Sequence, residues 1–575
     1  MLQPWVRPSS RLVPVLLAMT VWLAHFLNFR HFGLYHDDYY FVSLSLEKTG
    51  AEMAKRIGTA LIQWPQGRPI GFSITFLLSF IGDHLGGIPA IYLLACSLIT
   101  LNTILFYQLL RRQHAEFFAL TGGLAFALFP ADTTKIFLTH GFCLQSALTF
   151  LILASLLYLS DRRVLAYIAI AGSLLAYESV FTVFFAVPLL RASWNRRLIK
   201  ELAFHSAILL VMMVMAVLIR SLGGEGGDTR VAGTLSAFIS GGIPAKIVAA
   251  LVMGPCVSLF LFLYGPMKYL ISWSPGIWMM AATFALILGF WLARTPLEQS
   301  AHRVYPLAVQ SRWLTLKADL SLPEADVRLL QLLLTSLILL SLGYVLSFTH
   351  FPPTIVRGIR TSTHLAATFG GSMFFAALCT LLVSIADRYR QKGMLTSVLA
   401  CYLALVLGYH QVIQLDMRQN WQNQRQFWQA VIQLCPDLMD GTTILVEREE
   451  LPETLFVSTH STFDRGLLQQ IFRFPPTWRQ PPQLFTARKN WPQLDLKLQG
   501  DRFIWRDPYW SWLAPDGMPL PPGKIIGLGM VNGQLTRLTT PIVLANQQLP
   551  LQQLKSTSPP AWDRGTLYEI LIETN

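Results

Sequence analysis

A chain of 575 residues that is 53% hydrophobic and 13% charged, with mean hydropathy +0.45, falls outside the ordinary soluble classes, in which about 25% of residues are charged. The formal net charge of +13 invites a nucleic-acid reading, but many of the basic residues cluster in short loops between apolar runs. Charge placed that way orients helices in a bilayer and meets anionic headgroups, so the composition points to a polytopic membrane protein and against nucleic acid.

The first apolar run, Leu12–Phe29, is long enough to cross a bilayer. Arg7 and Arg11 precede it, and no small-x-small cleavage pattern follows, so it reads as an uncleaved first helix. A first outer loop extends from Arg30 to about Gly87, too long for a simple connection and carrying helical patterns of its own. Further spans are expected near 88–110, 116–131, 142–160, 201–221, 276–294, 329–348, 365–386 and 394–412. Between Arg163 and Arg191 lies one apolar stretch with basic residues at both ends, which predicts two short helices meeting at Tyr177-Glu178. The sum is about eleven spans. The stretch 246–272 is apolar enough to cross, but a crossing there would invert the loops that follow. Arg294, Arg303, Arg312, Lys317, Arg328, Arg388, Arg390 and Lys392 would then leave the basic side, so an interfacial or re-entrant segment is expected instead.

After about Gln414 the composition turns polar and rich in proline and tryptophan. Candidate strands are 442–448, 501–505, 524–531, 540–545 and 566–573, with a helix at 463–472. The fold class expected is thus a polytopic α-helical membrane domain, residues 1–413, followed by a soluble α+β domain, residues 414–575. An odd number of spans puts the second domain outside the cytoplasm. Six cysteines form no CxxC pattern and no disulfide framework.

The residues suited to chemistry gather in the outer loops. Asp37 and Asp38 follow the first span, beside His36 and a run of aromatics; ionisable groups at a membrane edge are costly and usually serve a purpose. One aspartate would suffice as a helix cap. The turn Gly67-Arg68-Pro69 would present Arg68 near the membrane surface. Asp132 and Lys135 follow the proline that ends an apolar helix, where the plain reading is a cap and a snorkelling lysine. Glu178 sits at a membrane-buried turn, as a functional carboxylate or as the partner of a nearby arginine. In the loop His350–His364, Arg357 and Arg360 stand three apart and would project from one side of a helix, where two guanidiniums suit a phosphate. His350 and His364 are accessory candidates for a metal, whose presence the sequence leaves open.

The order of these segments resembles the GT-C glycosyltransferase superfamily, in particular the protein O-mannosyltransferase and aminoarabinose transferase type. The acidic pair, the Gly-Arg-Pro-Ile end of the loop, LNTILFYQLLRR, Phe-Pro-Ala-Asp and the Tyr-Glu of AYESV carry the resemblance, which covers roughly residues 10–200. The resemblance implies a polyprenyl-phosphate-linked sugar donor and transfer on the outer face of the membrane. It implies Asp37 as the leading base, Asp38 as second choice and Asp132 as the acid of the second outer loop; Lys135 departs from the pattern.

The chemistry fits the residues independently. A base must take a proton from an acceptor hydroxyl, and a carboxylate beside a second acid has a raised pKa that suits it. The phosphate leaves as a stable anion and needs a cationic clamp, for which Arg68, Lys135, Arg357 and Arg360 are the candidates. Attack opposite the leaving group inverts the anomeric centre. A divalent cation bridging acids and phosphate is compatible with this chemistry. The acceptor is a lipid, glycan or protein, membrane lipids are neighbours, and the expected location is a bacterial inner, or plasma, membrane. Two other classes fit less of the pattern: a transporter or flippase for lipid-linked sugars, and a non-catalytic scaffold of the same fold. In the second domain Trp491, Trp505, Trp510 and Trp512 could stack on sugar rings or pack in a core.

Overall fold

The computed structural model describes residues 12–191, 194, 196–222, 242–297, 324–346, 354–448, 467–488, 496–499, 502–505, 518–519, 524–531, 534–544, 547–554 and 562–573. The chain divides into two units: Met1–Phe29, Ala54–Gly227 and Val231–Leu415 form one, and Arg30–Met53, Asp228–Arg230 and Asp416–Asn575 the other. Arg303, Arg312, Lys317, His350, Trp491, Trp510 and Trp512 lie outside the described residues.

Long apolar runs make the first unit a helical bundle. Its helices are α1 (Val13–Val21), α3 (Gly50–Gln63), α4 (Pro69–Arg111), α5 (Glu116–Ala127), α6 (Leu138–Leu159), α7 (Arg163–Ala176), α8 (Glu178–Phe181) and α9 (Arg196–Leu222). They continue with α10 (Gly242–Lys268), α11 (Pro275–Arg294), α12 (Glu324–Leu342), α13 (Ala367–Arg388) and α14 (Lys392–Leu434). The short α2 (Asp38–Phe41) and the start of α3 belong to the second unit, as does α14 beyond Leu415.

Eight helices among the described residues are long and apolar enough to cross a membrane, rather than about eleven. One span outside the expected set, Ala250–Ser272, is added, and four of the expected spans, Glu116–Ala127, Arg163–Ala176, Glu178–Leu190 and Arg328–Leu342, are apolar helices of 10–17 residues. At 1.5 Å per residue such helices reach roughly 15–26 Å, short of a hydrocarbon core of about 30 Å. Two of them are the short helices expected around Tyr177-Glu178: α7 ends at Ala176, and Glu178–Phe181 continues as a 3-10 helix to Leu190. The stretch 246–272, expected to stay at the interface, forms most of one helix through Pro255 and Pro266, and Ala250–Ser272 is long enough to cross.

Two glycine contacts set helix pairing. In the 43-residue α4, Gly86 and Gly87 leave helical geometry, Gly87 at φ +67, a conformation open to a residue without Cβ. A Cβ on Gly82 would lie 2.7 Å from the Ile91 Cα, so the chain doubles back there and α4 is two helices folded on each other. The expected start of the second span at residue 88 coincides with this hinge. Between α12 and α13, a Cβ on Gly370 would lie 2.6 Å from the Leu340 Cα; the missing side chain lets the two backbones touch, as small residues do in membrane helix pairs.

Basic residues collect at one end of the bundle. Arg112 donates to the Ser160 hydroxyl (2.9 Å), Arg191 to Asp161 (2.7 Å) and Arg163 to Glu201 (3.1 Å). These bonds gather the ends of α4, α6, α7 and α9.

In the second unit β1 (Thr443–Arg448) lies between β3 (Gln483–Arg488) and β7 (Ile525–Val531), parallel to both, with β8 (Gln534–Arg537) antiparallel on the far side of β7. Ile444, Leu445 and Val446 are all buried, the continuous apolar run of a strand covered on both faces. Three smaller sheets involve β2 (Phe472–Arg473), β4 (Leu496–Gln499), β5 (Arg502–Trp505), β6 (Met518–Pro519), β9 (Ile542–Leu544), β10 (Gln547–Leu549) and β11 (Asp563–Arg564). Four of the five expected strands are present within a residue or two. The fifth, 566–573, is instead the short helix α15 (Tyr568–Leu571). Leu567 and Leu571 are both buried, and a spacing of four places them on one helical face.

Asp437, at 4% side-chain exposure, accepts both terminal nitrogens of Arg537 (2.6 and 3.0 Å) and the amide of Gln552 (3.0 Å). This joins the chain before β1 to the end of β8. Asp437→Ala leaves Arg537 buried without its counter-charge and is expected to destabilise this unit by about 3–5 kcal/mol, read as a lower unfolding midpoint of the full chain in detergent.

Candidate functional site

The acidic pair resolves into two unlike groups. The segment Arg30–Met53 packs on the α14 residues of the same unit: the Tyr35 hydroxyl donates to the Met417 carbonyl (2.9 Å), its ring meets Trp421 edge-on, and Tyr39 donates to Gln424. Gly33 sits against the Trp421 ring, where any side chain would collide. Asp38 is fully buried and accepts the Tyr35 backbone N–H (3.2 Å), so it closes its own turn. Asp37 is half-buried, and its carboxylate meets His36 Nδ1 at 2.6 Å. His36 itself takes a positive φ of 49° to turn the chain into α2.

In the first unit Asp132 and Lys135 lie on the buried connection between α5 and α6. Asp132 Oδ1 accepts the Thr134 N–H and hydroxyl (2.9 and 2.6 Å), while among the described residues Oδ2 has no hydrogen-bond partner. Burial pushes this carboxyl above its ordinary range, against the pull of Lys135 and the Thr134 bonds. The Lys135 ammonium does not snorkel. It donates to the carbonyls of Phe126 (3.2 Å) and Ala127 (2.7 Å), the exposed acceptors at the end of α5, and burial lowers its pKa to about 8. Two histidines that sequence reasoning missed complete this end: His25 bonds the Ala127 carbonyl (2.8 Å) and His410 the Leu128 carbonyl (3.2 Å). Because a carbonyl only accepts, each is protonated on Nε2.

The same connection braces the basic loop. Thr133 N–H donates to the Thr361 hydroxyl (3.0 Å), and the Gly358 N–H donates to the Thr133 hydroxyl (3.0 Å). Arg357 and Arg360 do not share a helical face as expected. Gly358, at φ +118, breaks the backbone between them, and the 3-10 helix begins only at Ile359. Arg357 is half-buried with its guanidinium 3.8 Å from the Tyr269 ring centre, and Arg360 is exposed. His364 is buried with both nitrogens engaged, by the Tyr344 hydroxyl (2.6 Å) and the Thr354 carbonyl (2.9 Å).

Arg68 and Glu178 come together. The turn before α4 sets Gln66 and Gly67 at positive φ, and Arg68 then reaches Glu178 through two bonds (2.9 and 2.7 Å) while stacking 4.2 Å from the Tyr177 ring centre. Glu178 is thus the partner of a nearby arginine, and Arg68 links the start of α4 to the junction of α7 and α8. The pairing was legible only as one of two options, because the partners are 110 positions apart. Among the described residues no three His, Cys, Asp or Glu side chains converge as a metal site requires.

Two predictions follow from these geometries. Glu178→Gln, which keeps the shape and removes the charge, is expected to lower stability by about 1–3 kcal/mol, the modest figure reflecting a carboxylate 38% exposed. A double-mutant cycle with Arg68→Gln checks it, since the second substitution should cost much less once the first is made. For Lys135, whose pKa is lowered to about 8 by burial, the native state holds fewer protons than the unfolded chain between that value and the ordinary one near 10.5. Stability should therefore rise with pH through that window, and Lys135→Met should remove the rise while leaving the Ala127 carbonyl to His25 alone.

No family model, no curated protein and no solved structure matches the chain.

Proposed function

We propose that the chain is a membrane glycosyltransferase that moves a sugar from a polyprenyl-phosphate donor to an acceptor hydroxyl on the outer face of the membrane. One observation carries this reading: of the two adjacent acids, Asp38 is buried and occupied in its own turn, while Asp37 stays solvent-reachable with an imidazole on its carboxylate. A base needs that combination of a defined orientation and access. In this reading Asp37 accepts the acceptor's hydroxyl proton as the oxygen attacks the anomeric carbon. The bond to the phosphate oxygen breaks on the opposite face, which inverts the centre. The departing phosphate leaves as a stable anion. Arg68 and Lys135 hold the scaffold, since their donors are committed to Glu178 and to the end of α5.

A second reading, a carrier for lipid-linked sugars, draws on the buried Asp132, Lys135, His25 and His410, an ionisable group inside the bundle of the kind that couples transport to protons.

The experiment that separates them uses the full chain in nanodiscs with a panel of polyprenyl-phosphate sugars and acceptors. Glycosyl transfer is expected, with Asp37→Asn reducing kcat by about 10²–10⁴-fold at unchanged thermal stability. Asp38→Asn is expected to act through stability. Full turnover by well-folded Asp37→Asn removes Asp37 as the base, and movement of the intact donor across a proteoliposome without sugar release favours the carrier.

A further inference from the structure

The proposed transfer makes no use of Asp132, whose carboxyl is fully buried and only half occupied. Oδ1 accepts the Thr134 N–H and hydroxyl, and among the described residues Oδ2 accepts nothing. The hydrogens around it can be counted. The Thr361 hydroxyl accepts the Thr133 N–H (3.0 Å) and lies 2.8 Å from both the Gly358 carbonyl and the Thr133 hydroxyl. A carbonyl only accepts, so the Thr361 hydrogen goes to Gly358 and the Thr133 hydrogen goes to Thr361. His364 Nε2 donates to the Thr354 carbonyl, so its Nδ1 accepts the Tyr344 hydrogen. Lys135 donates to the Phe126 and Ala127 carbonyls rather than to Oδ2. Each of these donors is turned to another acceptor. An unpaired charge costs far more here than an unpaired neutral O–H, so the hydrogen on Oδ2 is its own.

The ionisable groups around Asp132 come from several elements. Lys135 shares its connection, and the first span and α14 bring His25 and His410 to the same carbonyl end as Lys135. Tyr344, beyond α12, feels the charge of Asp132 and is bonded to His364. The 354–364 loop carries Arg357, over the Tyr269 ring that follows α10, and the exposed Arg360. The start of α13, Ala367–Met373, is buried and holds no ionisable group. Lys135 pulls Asp132 toward ionisation, and burial outweighs it.

We propose that Asp132 is a proton-binding site that latches the 354–364 loop: Oδ2 holds a proton while the loop is docked on the α5–α6 connection, and loss of that proton frees the loop. An Asp132 carboxylate must take a donor. Its chain neighbour Thr133 supplies one only by turning its hydroxyl away from Thr361 and from the Gly358 N–H, the bonds that dock the loop. One proton passes to solvent, and otherwise only hydrogen bonds rearrange. Because burial raises this carboxyl above its ordinary range, the docked form binds the proton more tightly than the open form, and rising pH favours opening. The latch sets where Arg357 stands, and it does not rest on the glycosyltransferase reading.

The test uses the full chain in nanodiscs with two readouts. An infrared difference spectrum between wild type and Asp132→Asn, taken at mildly acidic pH where exposed carboxyls are already ionised, should show a protonated-acid C=O band in wild type alone. A carboxylate band instead, as for an ionised Asp132 met by a buried water, overturns the proposal. Hydrogen–deuterium exchange of residues 354–364, corrected for its intrinsic pH dependence, should show protection falling about tenfold per pH unit once the acid ionises. Asp132→Asn keeps the acceptor for Thr134 and cannot ionise, so its loop should stay protected throughout. Lys135→Met, which removes the other buried group that titrates, should keep the fall. A fall that survives in Asp132→Asn, or vanishes in Lys135→Met, overturns the latch. Should Asp132→Asn not fold, Thr133→Val serves: it should expose the loop at every pH, and a wild-type pH dependence in that variant overturns the proposal.

Discussion

The end of α5 imposes the constraint on which the first unit is arranged. A helix that stops inside an apolar bundle leaves carbonyls with no partner, and no water is at hand to take them. Here the carbonyls of Phe126, Ala127 and Leu128 are met by Lys135, His25 and His410, which come from three distant stretches of chain. The two imidazoles lie edge to face, 4.5 Å between ring centres. Each bond satisfies an acceptor whose desolvation would otherwise go uncompensated, so the start of the chain, the α5–α6 connection and α14 are held to one point.

From that point the order propagates outward. With Lys135 committed inward, the connection is fixed, and Thr133 is presented to Gly358 and Thr361. Arg357 is then directed onto Tyr269 rather than into a helix beside Arg360. A local break at one glycine, and a hydroxyl that accepts its N–H, decide which arginine is half-buried and which is exposed. Arg68 and Glu178 do a similar service at the turn before α4, tying it to the meeting point of two short helices.

Parts of this were readable from residue patterns. The two short helices around Tyr177-Glu178, the start of an apolar helix after Gly87 and four of the strands all arise from local composition. Hydropathy over a window and a glycine or proline at a boundary act over a few residues, so the local sequence suffices. The segment 566–573 failed because its apolar spacing satisfies both periods, and packing of Leu567 and Leu571 chose the helix. The site residues were recognisable as costly charges between apolar runs, yet their roles were not. Asp37 and Asp38 are chemically identical neighbours, and only the packing of Tyr35 and Tyr39 against α14 buries one of them.

By itself the sequence determined that this is a polytopic helical chain with a separate β-containing C-terminal region, because burial of apolar residues and the period of their spacing are properties of adjacent positions. Tertiary structure alone decided which lysine caps a helix rather than facing a phosphate, which glutamate belongs to which arginine, that β1 lies between two parallel partners, and that Arg357 lies over the Tyr269 ring. Those are choices among partners far apart in the chain. Many pairings satisfy the same charges and hydrogen-bonding groups, and only the closing of the whole bundle selects one of them.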